Sequence, residues 1–151
     1  MSISEKIEEI ELSEILEEKI LFPFIFAVYF VLSVYEHNIG QVFFTDTLLP
    51  LGIILAGTYT AYYILNYLID NKKKAGLITF IFMIAGFTYG VQINLLLVNR
   101  SLDILGFNLA QGRYLILANL LIISIMSLLI LRKDFDLNNI VKIANIVTTF
   151  M

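Results

Sequence analysis

Ala75 to Val98 is the longest stretch of this chain without a charged side chain. Twenty or so apolar residues in a row suit a helix crossing the hydrocarbon core of a bilayer, because only there do all backbone groups pair within the segment. Most of the polar atoms in this run collect in Gly86-Phe87-Thr88-Tyr89-Gly90-Val91-Gln92-Ile93-Asn94. Gly86 and Gly90 stand four apart on one helical face, and Asn94 continues it. That pattern lets another helix approach closely and hydrogen-bond in lipid.

Composition supports a membrane class. The chain has 151 residues, 59% hydrophobic and 15% charged, against roughly 45–50% and about 25% in soluble domains. There is no cysteine, which removes disulfides, thiolate metal sites and cysteine nucleophiles. No basic block points to nucleic acid.

The expected organisation is all-α, an integral membrane helical bundle with four transmembrane helices. An acidic helix precedes the four and a short apolar helix follows them. Residues 1–19 form the acidic leader. Ile3, Ile7 and Ile10 give it a narrow apolar stripe, and Glu5, Glu8, Glu9, Glu11, Glu14, Glu17 and Glu18 fill the other faces. An anionic leaflet repels such a helix, so a protein partner is the expectation for its stripe. A signal peptide is excluded by the acidic flank and the lack of a small-residue cleavage site.

The spans are expected at about 20–35, 48–69, 75–98 and 114–131. The first is short, with Pro23 in its first turn, where proline is tolerated. The second is opened by Pro50 and carries Gly52, Ala56 and Thr60 at intervals of four, a small-residue packing face like that of Gly86 and Gly90. Its Tyr59, Tyr62, Tyr63 and Tyr67 suit an interface belt. Asp70 to Lys74 reads as a tight polar turn, and Asn99 to Arg113 as a mixed loop lying on the interface. Residues 134–151 turn apolar again. They are too few to cross the core, so an interfacial helix and a truncated fifth span are both open.

Counting Lys and Arg near the spans gives orientation. With four spans, the N-terminus, the 70–74 turn and the tail share one side and hold eight of the ten basic residues. Both termini are therefore expected in the cytoplasm, with the chain in the cell (inner) membrane and the lipid bilayer as its main partner.

Depth follows from orientation. Gln92 lies six residues from the outer end of its span, roughly 9 Å, and Asn119 five residues inside the next, roughly 7–8 Å. Amides at matching levels on consecutive helices are expected to bond to each other as interhelical glue. The functional alternative is an outward-facing polar pocket lined by Glu36, His37, Gln92, Asn94 and Asn119. Glu36 beside the only histidine could serve acid–base or metal chemistry. Neighbours on a helix diverge by about 100°, however, and a zinc site needs more ligands, so an end-cap role is expected. No nucleotide loop, HExxH pair or GxSxG elbow is present, and neither cofactor nor metal is expected. No charge lies deep in a span, where ion-coupled transporters usually place one.

Three stretches carry a resemblance: Leu21-Phe22-Pro23-Phe24-Ile25-Phe26-Ala27-Val28-Tyr29 with Glu36-His37-Asn38-Ile39-Gly40-Gln41-Val42, then Leu48-Leu49-Pro50-Leu51, then Phe87-Thr88-Tyr89-Gly90. Together they resemble the N-terminal multi-span membrane domain of bacterial membrane-anchored proteins, some of them sulfatase-like hydrolases of the cell envelope. The resemblance covers roughly residues 20–151. It implies further spans beyond the tail, so that this chain would be the first part of a longer one. The Cys or Ser nucleophile in its [CS]-x-[PA]-x-R context and the metal-binding Asp and His residues of such hydrolases have no counterpart here. No catalytic residue can be carried over.

The resulting expectation is a non-catalytic membrane scaffold or anchor of an envelope-modifying protein. The alternative is a small permease-like or lipid-binding component built on the outward pocket, and a free-standing enzyme ranks third.

Overall fold

The structure is a computed structural model that describes residues 19–98, 103–104, 107–108, 112–132 and 137–151. Apart from Lys19, the acidic leader lies outside the described residues. Five helices are present among them: α1 (Phe22–His37), α2 (Phe44–Ile69), α3 (Lys72–Val98), α4 (Gly112–Arg132) and α5 (Leu137–Thr149). Within the loop expected between α3 and α4, Asp103–Ile104 pairs antiparallel with Phe107–Asn108 in a two-residue ladder.

Three helices, α2, α3 and α4, are long and apolar enough to cross a membrane, rather than the four expected. The difference is α1. Its 16 residues rise about 24 Å, less than the roughly 30 Å of a hydrocarbon core. It is nonetheless packed inside the bundle, antiparallel to α2 and parallel to α3. Phe22, Ala27 and Val31, five and four residues apart, form its buried face with Pro23.

Aromatic rings set the α1–α3 register. Phe80 receives the edges of both Phe22 and Phe26, with centroids 5.2 Å apart in each pair. One heptad on, Phe87 stacks on Phe30 at 3.9 Å and 6°. Edge-to-face and stacked pairs contribute about 0.5–1.5 kcal/mol each beyond burial. In lipid, where apolar burial between helices gains little, such directional contacts matter more.

Helix α2 begins at Phe44, so Pro50 lies in its second turn, not its first. The proline removes the hydrogen bond that would reach the Asp46 carbonyl. At the far end Asp70 adopts the left-handed conformation, φ 52°, and its N–H closes on the Asn66 carbonyl at 2.9 Å. Asn71 then caps α3, its Oδ1 accepting the Lys74 N–H at 3.0 Å. The three lysines expected in a turn thus begin α3.

Among the described residues, the small-residue faces make no close helix contact. No described atom outside the helix's own backbone comes within 4 Å of a Cβ placed on Gly52, Gly86 or Gly90, and Ala56 is exposed. Helix α2 meets α3 through Thr58, whose hydroxyl lies 3.5 Å from Met83 Sδ. Thr58 sits two residues from both Ala56 and Thr60, about 200° around the helix, so that face points away. The close approach is at Gly76 instead, where a Cβ would lie 2.4 Å from Ile20 Cγ2 and 3.3 Å from Phe22 Cζ.

The tail is a helix docked on the bundle. Val141, Asn145 and Thr148 form the buried face of α5, which packs against α1 and α3.

Candidate functional site

Five hydroxyls within the long helices are satisfied by their own helix, whereas the buried Ser127 Oγ on α4 has no hydrogen-bond partner among the described residues. Thr58, Thr60, Thr79, Thr88 and Ser124 each donate to the carbonyl four residues earlier, at 2.7–2.8 Å. A hydroxyl returned to its own helix needs no partner across lipid.

An amide pair reaches between α3 and α4. Asn119 Nδ2 on α4 donates to Gln92 Oε1 on α3 at 2.8 Å, and Gln92 Nε2 donates to Thr88 Oγ1 at 2.9 Å. The Thr88 hydroxyl in turn donates to the Ile84 carbonyl at 2.7 Å. Donors and acceptors alternate through four groups with no titratable member, so the relay orders hydrogen bonds without offering a group that ionises near neutral pH. Lys74 Nζ donates to the Leu131 carbonyl at 3.0 Å at the other end of the same helix pair. These two bonds, near both ends of the antiparallel pair, fix its register.

Hollows flank the amide bond on both sides. One, about 360 Å³, is walled by Phe82, Ala85, Gly86, Tyr89, Ile116, Asn119, Leu120 and Ile123. The other, about 330 Å³, lies along Ile84, Thr88, Gln92, Ile122 and Met126. Both are open and lined mainly by carbon.

The five residues expected to line one outward pocket do not converge. Gln92 and Asn119 meet, but Glu36, His37 and Asn94 line neither hollow beside them. Asn94 follows Gln92 by two residues, so its side chain leaves the helix about 200° away and is exposed. Glu36 and His37 are exposed at the end of α1. His37 Nδ1 lies 2.8 Å from the Ser33 carbonyl, which can only accept, so Nδ1 carries the proton. This is an end-cap geometry. No cluster of three or more metal-ligating side chains occurs among the described residues.

Among the described residues, Asn145 and Asn138 join α5 to the rest. Asn145, fully buried, accepts the N–H groups of Leu21 and Phe22 at 3.2 and 2.8 Å and donates to the Lys19 carbonyl at 2.8 Å. Lys73 Nζ donates to Asn138 Oδ1. Neither contact was expected from sequence. The available signal was an amide in the middle of an apolar helix, which needs a partner when buried.

The chain matches no protein-family profile, no curated protein and no solved structure.

Proposed function

We propose that this chain is a non-catalytic membrane scaffold or anchor, held in the inner membrane with the Lys72 end of the bundle at the cytoplasmic face. The observation that supports it most is the Asn119–Gln92–Thr88 relay, in which two amides and a hydroxyl of the long spans satisfy one another. Three helices of membrane-spanning length supply the anchor itself. The resemblance to the membrane domain of envelope-modifying proteins gives the anchor its cargo, an extracytoplasmic hydrolase domain.

The test is the coding sequence around the chain combined with affinity purification from native membranes. The expected result is a hydrolase domain, in the same frame or an adjacent gene, that copurifies with the full chain. The reading is overturned by a chain that purifies alone and whose Gln92→Leu or Asn94→Leu variant keeps its helical spectrum while losing a solute- or lipid-binding activity of the wild type.

A further inference from the structure

A cleft of about 600 Å³ lies between α3 and α5, floored by α1. Its walls include Phe26, Leu77, Phe80, Ile84, Ile143 and Val147. From Leu77 to Thr88 it follows α3 for roughly 16 Å, at 1.5 Å per residue. About one turn before Leu77, α3 opens on three basic residues. Lys72, Lys73 and Lys74 stand on α3, and Lys73 reaches across to Asn138, which opens α5. An ammonium has three N–H donors. Lys73 gives one to Asn138 and Lys74 one to the Leu131 carbonyl, so each keeps donors for an anion.

We propose that this cleft holds one acyl chain of an anionic phospholipid whose phosphate sits on Lys72 and Lys73. The cleft is an open, carbon-lined groove whose length along α3 one extended acyl chain can follow. Charge selects the headgroup. A second copy related by an axis along the membrane normal would bring its own three lysines to the same level, against these. A choline headgroup would bring another cation. A phosphate with no compensating amine offsets part of the lysine charge while its chain covers carbon that no side chain of the described structure covers. In a membrane the two halves of the site lie at the depths where a lipid places its two halves, so binding needs no displacement of the lipid from its leaflet. The proposal does not depend on the anchor reading.

The full chain, purified in dodecyl maltoside, is titrated with dimyristoyl phosphatidylglycerol or dimyristoyl phosphatidylcholine and followed by native mass spectrometry. The expected result is a phosphatidylglycerol adduct with at least a tenfold lower Kd than the phosphatidylcholine adduct. Lys72→Gln/Lys73→Gln/Lys74→Gln should bring the two lipids within twofold. Val147→Trp, at an exposed wall position, should weaken both adducts at least tenfold. Ile84→Trp fills the cleft from the opposite wall and replaces Val147→Trp should that variant lose its helical circular dichroism. Equal binding of the two lipids by the wild type overturns the proposal. So does a phosphatidylglycerol preference that survives the triple substitution, or unchanged adducts in a folded tryptophan variant. A lipid-free dimer that Val147→Trp abolishes assigns the cleft to a second copy and overturns it equally.

Discussion

Asn145 Oδ1 accepts the backbone N–H of Phe22 at 2.8 Å across 123 positions of sequence. The first turn of any helix leaves N–H groups without an intrahelical partner. In α1 the residue at the N-cap is Leu21, which has no side-chain acceptor. The deficit is met from α5, whose one buried amide takes two of these donors and returns its own N–H to the Lys19 carbonyl. The clamp ties the last helix to the first and explains why a 13-residue helix holds its place in the bundle.

Replacing Asn145 with Ala removes the acceptor while leaving the N–H groups buried. An unsatisfied buried donor costs about 1–3 kcal/mol. The variant is expected to lose stability by that amount in SDS-induced unfolding from micelles, read by far-UV circular dichroism. Asp at the same position keeps Oδ1 but cannot donate to Lys19, so its loss should be smaller than that of Leu. Equal losses for Asp and Leu would show that the capping bonds contribute nothing.

Glycine substitutions should divide by position. At Gly76 a methyl group meets Ile20 at 2.4 Å, whereas Gly86 and Gly90 have open space. Overpacking typically costs about 1–3 kcal/mol, against about 1 kcal/mol gained by Ala over Gly within a helix. Gly76→Ala is therefore expected to destabilise the monomer by up to about 2 kcal/mol, and Gly86→Ala to be neutral or stabilising by up to about 1 kcal/mol. In an Ile20→Ala background the penalty at Gly76 should shrink, leaving only the approach to Phe22 Cζ. A Gly86→Ala variant less stable than Gly76→Ala would reverse the assignment of the packing glycine.

That division also shows where sequence was informative. The apolar runs and their lengths located the long helices, since the bilayer imposes length directly. Matching depth placed Gln92 opposite Asn119, because consecutive antiparallel spans share one depth scale. The rotation of a helix about its own axis was not legible. Gly52, Ala56 and Thr60 form as regular a stripe as any in the chain, yet Thr58 on the opposite side is what meets α3. In a helix apolar all round, periodicity carries little information about which face packs. Asn145 was hidden for another reason. Its partners are backbone groups of Lys19, Leu21 and Phe22, and any residue types there would supply the same N–H and carbonyl.

Phe87 should be the most geometry-sensitive ring of the α1–α3 seam. It stacks on Phe30 at 3.9 Å and also lies 5.9 Å from Phe26. Phe87→Leu keeps an apolar side chain but loses the stack, an expected cost of about 0.5–1.5 kcal/mol. In a Phe30→Leu background the same substitution should cost measurably less. Full additivity of the two would mean that ring geometry is irrelevant and only volume counts.

The amide pair is the sharpest test of the seam between α3 and α4. Gln92→Leu leaves Asn119 without its acceptor, and Asn119→Leu leaves Gln92 without its donor, while the Gln92–Thr88 bond survives the second change but not the first. The two variants should therefore differ, with Gln92→Leu the more destabilising. A double-mutant cycle measured by SDS unfolding in micelles should return a coupling of about 0.6–2 kcal/mol, the range for interhelical hydrogen bonds in membranes. Thr88→Val removes the hydroxyl acceptor at nearly constant volume and should weaken the Gln92–Asn119 coupling, because Gln92 then has no fixed partner for its own N–H. Coupling within error of zero in the wild-type background would remove the bond as a determinant of helix register. Coupling unchanged by Thr88→Val would restrict the relay to a simple pair.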